Sequence, residues 1–273
     1  MNGFTVISKV DSIAIGNFDG MHVGHKALFE NLTGNGAVCV IEHFRATLTP
    51  HIYRARFTKG PLFFYDFEKI KDLNPKEFVD RLMFDFPSLK RIVVGEDFRF
   101  GYGRSGDVST LKTLFGGEVV AVNEVKVDGE GVHSRFIREY IREGKIEKAN
   151  RLLGHAYEVW GDVVKGQGIG KESLVATLNL YTGRFLLPKP GVYKSSTYVD
   201  GAWHMSVTFV GHRKSTDGEF AVETHIIGKD LKDVVGKVGI RWHSYLRANR
   251  AFGSLKELKE AIEKDIEAAS EER

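Results

Sequence analysis

The chain has 273 residues, 42% of them hydrophobic, and a formal net charge of +3. That is enough length for one large domain or two modest ones, and too little positive charge to argue for nucleic-acid binding. A single cysteine, Cys39, excludes an intramolecular disulfide; no apolar run could span a bilayer and the amino terminus lacks a signal-peptide pattern, so a cytoplasmic enzyme fits.

In chain order, short apolar segments predict strands over 12–15, 37–41, 91–94 and 119–122, with helices over 26–32, 75–82 and 109–115 between them. Alternation of this kind predicts a parallel sheet with helices on its faces and ligands at the carboxyl ends of the strands. Cys39 falls in the second strand, which predicts a buried thiol. Ser134 is placed to cap a helix carrying Phe136, Ile137, Tyr140 and Ile141; Gly144 ends it and Gly154 ends the next. After about residue 157 the pattern changes to strands over 159–164, 191–198, 203–210, 220–227 and 238–242, with Asp200-Gly201 as a hairpin turn. These predict a small antiparallel barrel. Ser254-Leu255-Lys256-Glu257 reads as a capping box opening a final helix, with Leu255, Leu258, Ile262 and Ile266 along one stripe. The expected division is an α/β domain over 1–157 and a β-barrel domain over 158–273.

The segment Gly16-Asn17-Phe18-Asp19-Gly20-Met21-His22-Val23-Gly24-His25 lies where the first strand hands over to a helix. Backbone N–H groups and the positive end of a helix dipole favour a phosphate there. His22 and His25 are three apart and so share a helical face, and Gly24 leaves room for a ligand to approach the backbone. Two imidazoles at such a site can donate hydrogen bonds to phosphoryl oxygens as charge develops. Two histidines are too few for a zinc site.

Gly101, Gly103 and Gly106 match the Gly-x-Gly-x-x-Gly pattern of dinucleotide binding, which leaves an NAD-dependent oxidoreductase open. However, Phe98 and Phe100 intervene after the strand, where that pattern needs a tight turn. Further on, His133-Ser134-Arg135-Phe136-Ile137-Arg138 puts two arginines at a capped helix start that can grip a polyphosphate. In the β-rich half, Gly166-Gln167-Gly168-Ile169-Gly170-Lys171-Glu172 is one residue short of a phosphate-binding loop, and Glu172 stands where a hydroxyl is needed. Thr177 and Asn179 alternate on an extended segment, so both oxygens can meet a magnesium–ATP complex. Glu223, in Val222-Glu223-Thr224-His225, can take a proton from a hydroxyl attacking a γ-phosphate.

Several of these segments also resemble a known family. GNFDGMHVGH is similar to the His-x-Gly-His signature of nucleotidylyltransferases, in the form seen in prokaryotic bifunctional riboflavin kinase/FMN adenylyltransferases, the FAD synthetases. Gly95-Glu96-Asp97-Phe98-Arg99-Phe100-Gly101, followed by Arg104-Ser105-Gly106-Asp107, resembles their second signature, beside the flavin and nucleotide pocket. Ser134, Ile137 and Arg138 match a Ser-Ser-Thr-x-Ile-Arg block, in which His133 and Arg135 replace Ser and Thr. Gly166, Gly170, Thr177 and Asn179 match the riboflavin kinase opening, with Lys171 keeping a positive charge; Ile169, Leu174, Val175, Ala176 and Leu178 depart from it. The resemblance implies a Rossmann-like adenylyltransferase domain and a riboflavin kinase barrel. It implies that His22 and His25 act in adenylyl transfer, with Gly16, Asn17, Phe18, Asp19, Gly24, Asp97, Ser134 and Arg138 binding ATP or flavin. In the barrel it implies Glu223 as base, Gly166, Gly170 and Lys171 as ATP or flavin contacts, and Thr177 and Asn179 as magnesium ligands. The implied substrates and products are ATP, riboflavin, FMN and FAD, with no nucleic-acid or membrane partner. The departures at 169–178 leave open an adenylyltransferase with a degenerate kinase domain, and a nucleic-acid module on the barrel face is a further rival.

Overall fold

The computed structural model describes residues 7–43, 47–165, 175–215, 217–229 and 234–271. The chain divides into two compact units, Met1–Ser134 and Arg135–Arg273.

The first unit is built on a five-stranded parallel sheet in the order β3-β2-β1-β4-β5. Its strands are β1 (Ser12–Gly16), β2 (Gly36–Glu42), β3 (Leu62–Asp66), β4 (Arg91–Gly95) and β5 (Glu118–Val122), and β6 (Lys126–Val127) pairs with β7 (Glu130–Gly131) in a separate two-stranded sheet. Side chains on a strand alternate between faces, and both faces of a parallel sheet are covered, so the central strands are apolar throughout. Ile13, Ile15, Ala37, Cys39, Ile92 and Val94 pack on one face with Phe78, Leu82 and Leu111. Ala14, Val38, Val40 and Val93 pack on the other with Phe18 and Met21. The four expected strands are all present; β3, an edge strand of half-buried residues, is an addition. Helix α1 (Val23–Phe29) begins three residues earlier than expected, because His22 caps it through its ring. Asn74 and Glu77 form a reciprocal capping box at the start of the helix Pro75–Asp85.

The order of strands creates a switch point. From β1 the chain runs to β2 and β3 on one side and then crosses to β4 and β5 on the other. A crevice therefore opens at the carboxyl ends of β1 and β4. The histidine segment follows β1, and the Gly95–Asp107 segment follows β4.

The second unit contains a closed six-stranded barrel, ordered β10-β11-β12-β9-β8-β13. Its strands are β8 (Tyr157–Val164), β9 (Leu178–Tyr181), β10 (Gly191–Val199), β11 (Ala202–His212), β12 (Phe220–Ile226) and β13 (Lys237–Arg247). β13 pairs with both β8 and β10, which completes the ring. Tyr157, Tyr193 and Trp242 are wholly buried. Beside them is a closed ring of hydroxyls: Ser195 to Ser206 (2.8 Å), Ser206 to Thr197 (2.8 Å), Thr197 to Thr224 (2.7 Å), Thr224 to Thr208 (2.9 Å) and Thr208 to Ser195 (2.7 Å). Buried hydroxyls need partners, and these supply one another.

The last helix, Leu255–Ser270, is capped by Ser254 Oγ, which accepts from Glu257 N at 3.2 Å. The Glu257 carboxylate accepts from Gly253 N rather than Ser254 N, so the expected box is half made. The expected stripe is largely kept: Leu258, Ile262 and Ile266 are half-buried beside the buried Ala261, Asp265 and Ala269, while Leu255 is exposed. Arg247 joins this face, its guanidinium donating to Asp265 at 2.8 and 2.6 Å. Among the described residues, no helix is long and apolar enough to cross a membrane.

Candidate active sites

The turn after β1 is held in an uncommon backbone conformation. Phe18 and Met21 both have positive φ, 52° and 46°, a region that non-glycine residues rarely occupy. The Phe18 ring lies beneath Gly16, where a Cβ would come within 3.2 Å of it. The Asn17 side-chain amide donates to Ile41 O on β2 at 3.1 Å. The buried Asp19 carboxylate accepts from three backbone N–H groups, of Thr47 (3.3 Å), Leu48 (2.9 Å) and Thr49 (3.0 Å). Asp19 O accepts from Ser134 Oγ at 2.7 Å. Asp19 and Ser134, expected to touch ligand, are thus also the pins that fix the turn.

His22 caps α1: its Nδ1 accepts from His25 N at 3.3 Å. The two imidazoles stack, with centroids 3.5 Å apart and planes 19° from parallel. Phe18 meets His25 edge-on at 5.1 Å. Gly24 makes the stack possible, because a Cβ there would come within 3.2 Å of the His22 ring; the room expected for a ligand holds that ring. His25 Nδ1 is buried and has no hydrogen-bond partner. Burial, then His22, then the cation of Arg54, hold the His25 pKa well below 6.5, so the ring is neutral at neutral pH. A neutral imidazole carries one N–H donor, suited to a phosphoryl oxygen.

Arg54 was not singled out from the sequence. It is wholly buried and donates to Phe18 O (3.2 Å), to Glu42 (2.9 Å) at the end of β2, and to His51 O (3.3 Å). In the sequence it is one of two arginines in His51-Ile52-Tyr53-Arg54-Ala55-Arg56, and only tertiary contact tells them apart. A second pair outside the sequence reading is His133 Nε2 with Glu124 Oε1, 2.7 Å apart.

In the segment after β4, Phe100 is core and Phe98 packs partly against it, the two rings lying 5.6 Å apart and nearly parallel. Asp97 is exposed at the strand end. Gly101 and Gly103 have positive φ, in a loop separated from β4 by those phenylalanines, which is not the tight strand-to-helix turn of a dinucleotide fingerprint. Asp107 caps the next helix by accepting from Thr110 N at 2.9 Å. Arg138 lies on the helix Ser134–Glu143, one turn beyond Ser134.

In the barrel, Glu223 on β12 is the register partner of Asn179 on β9. Thr224 points into the hydroxyl ring, so alternation turns Glu223 and His225 to the outer surface. Thr177 is exposed just before β9, and His225 Nδ1 lies 2.8 Å from Ala176 O. The structure thereby brings Asn179 and Glu223 onto adjoining strands, with Thr177 one residue before β9. Arg213, absent from the sequence reading, donates to Glu223 Oε1 at 3.0 Å and to Asn179 Oδ1 at 3.4 Å. Gly166, Gly170 and Lys171 lie outside the described residues.

Comparison with known proteins gives a consistent result for both units. A family model described as FAD synthetase matches residues 6–53 and 58–136, and one described as riboflavin kinase matches 153–272. The bifunctional riboflavin kinase/FMN adenylyltransferase of Pseudomonas fluorescens is 31% identical, over 93% of this chain and 90% of its own length. The enzyme of the same description from Escherichia coli K12 is 27% identical, over 95% and 91%. A crystal structure described as a macrolide-efflux protein from Streptococcus pneumoniae shares the fold with a TM-score of 0.84 at 25% identity, over 97% of this chain and 95% of that one.

Proposed function

The chain belongs to the bifunctional riboflavin kinase/FMN adenylyltransferase family, and we propose that its two reactions are carried by the histidine pair of the first unit and by Glu223 of the barrel. The protein is a transferase of FAD biosynthesis: it phosphorylates riboflavin to FMN with ATP, and joins FMN to AMP from a second ATP, releasing pyrophosphate. Both family models match and the relatives are described by both activities over nearly their whole length, which favours two reactions over adenylyl transfer alone. We take residues 1–157 as the adenylyltransferase domain and 158–273 as the kinase domain, working in the cytoplasm.

In adenylyl transfer, an FMN phosphate oxygen attacks the α-phosphorus of ATP, and the bond to the β-phosphate oxygen breaks. His22 and His25 donate hydrogen bonds to the phosphates as charge builds. Gly16, Asn17, Phe18, Asp19 and Gly24 shape the turn around them. Asp97 contacts the ligand across the switch point, and Ser134 and Arg138 take the outer phosphates. The observation that carries this reading is the stacked histidine pair, with His25 held neutral, at the carboxyl end of β1, beside β4.

In the kinase reaction, Glu223 accepts the proton of the ribityl hydroxyl as that oxygen attacks the γ-phosphorus and ADP leaves. Thr177 and Asn179 would hold the magnesium of the ATP complex, which would neutralise phosphate charge. Both suit it, since a hard cation already ligated by phosphate needs only a few neutral oxygens. Gly166, Gly170 and Lys171 complete the nucleotide contacts.

Product analysis tests the assignment. With riboflavin and magnesium–ATP, His25→Ala is expected to accumulate FMN without FAD. Glu223→Gln is expected to slow riboflavin phosphorylation to a small residual rate yet make FAD from supplied FMN. A His25→Ala enzyme that still forms FAD at the wild-type rate removes the histidine pair from the mechanism.

A further inference from the structure

Arg213 follows β11 directly and opens the loop to β12. Its backbone is fixed at both ends: Arg213 N donates to Glu219 O at 2.9 Å, and Gly218 N donates to Arg213 O at 3.1 Å. One edge of its guanidinium is occupied by Asp217, with Nε to Oδ1 at 3.0 Å and Nη2 to Oδ2 at 2.8 Å. Asp217 is itself held, since Oδ1 also accepts from Glu219 N at 3.0 Å. The remaining nitrogen, Nη1, carries two N–H groups. One goes to Glu223 Oε1 at 3.0 Å and the other toward Asn179 Oδ1 at 3.4 Å. Those two residues face each other across β12 and β9.

The side chains of Arg213, Asp217 and Glu223 are only 18%, 29% and 21% exposed, so solvent does not fully screen the pairs. A guanidinium is rigid and planar, so fixing one edge fixes the direction of the other. A lysine keeps the charge but has no second edge to be held by.

We propose that Arg213 is a positioning residue for riboflavin phosphorylation: braced by Asp217, it holds the Glu223 carboxylate and the Asn179 amide in register on adjacent strands before substrates arrive. The inference rests on Glu223 being the kinase base. It acts on the base, not on the substrate. The contact to Asn179 is the longer of the two, 3.4 Å against 3.0 Å, so the chief effect of Arg213 falls on the base. Arg213 occupies Glu223 Oε1, which leaves the other oxygen to meet the hydroxyl.

The test uses the full-length enzyme and both activities. Arg213→Lys and Arg213→Met are each expected to lower kinase kcat on the order of 100-fold, the cost of misplacing a catalytic group by about 1 Å. KM for riboflavin and for ATP, and the rate of FAD formation from FMN, are expected to stay within about twofold, the range of a change that touches neither substrate. Asp217→Asn, which keeps Arg213 and loosens its brace, is expected to give a smaller fall in kcat. This variant decides the matter if the Arg213 changes prevent folding. In a Glu223→Gln background Arg213→Met is expected to have no further effect, because the two act through one group.

A wild-type kcat in Arg213→Lys overturns the proposal, since charge alone then suffices. So does a raised KM for ATP at unchanged kcat, which makes Arg213 a phosphate ligand, and so does an additive double variant. Loss of kinase activity in Glu223→Gln with full activity in both Arg213 variants overturns the positioning role while leaving the base in place. Retained activity in Glu223→Gln overturns the base itself.

Discussion

His25 is the residue in which burial and chemistry meet most directly. Its imidazole is neutral because charging it would desolvate a cation beside His22 and Arg54. In the unfolded chain the same ring takes a proton at its ordinary value of 6.5. The unfolded state therefore binds more protons as pH falls below 6.5, and stability falls with it toward the lowered folded-state pKa, at up to about 1.4 kcal/mol per pH unit. Thermal unfolding between neutral pH and pH 5 is expected to show this slope in the wild type and a shallower one in His25→Gln. Arg54 yields a second expectation at this scale. Arg54→Met strands the Glu42 carboxylate, whose side chain is 13% exposed, and is expected to cost about 3–5 kcal/mol in denaturant unfolding. Adding Glu42→Gln is expected to return most of that loss. The histidines were legible in the sequence because spacing and neighbouring glycines set them apart. Arg54 and Arg213 were not: Arg54 meets Phe18 and Glu42 only through the fold, and the pairing of Arg213 with Asp217 and Glu223 depends on how the chain turns back from β11 to β12.

At the level of elements, the strands that carry the sheet interior were legible since their apolar runs have no other use. The edge strand β3 was not, although its five residues equal β1, β4 and β5 in length and it is as buried as β5. The terminal helix shows a limit of another kind. Its period was right, but its inward face also carries the buried Asp265, paired with Arg247, which hydrophobicity does not register. Gly24 belongs to α1 and keeps His22 against His25. Gly24→Ala is expected to displace the His22 ring by a few tenths of an ångström and to slow FAD formation from FMN about tenfold or more, with riboflavin phosphorylation unchanged. Within the barrel, Thr208→Val opens the hydroxyl ring and leaves Ser195 and Thr224 each short of a partner. A loss of about 1–3 kcal/mol is expected, read from chemical denaturation; an unchanged midpoint would mean that water replaces the missing hydroxyl.

Across the whole molecule, two units each have their own ordering principle. In one, strand order gathers two distant signatures at the ends of β1 and β4; in the other, strand pairing alone puts Glu223 beside Asn179. Alternation of strands and helices made the first legible, and the change to strands alone made the second legible. The pairing of β9 with β12, on which the proposed kinase site depends, was not written in any single segment. Differential scanning calorimetry is expected to resolve two transitions, with Thr208→Val moving one and Arg54→Met moving the other. Ring closure has one more consequence. A barrel whose last strand bonds both neighbours has no edge strand among the described residues, whereas β3 and β5 end an open sheet. Fibril-like self-association on heating should thus start at those two margins, and lysines introduced on their outward faces should delay turbidity without touching either reaction.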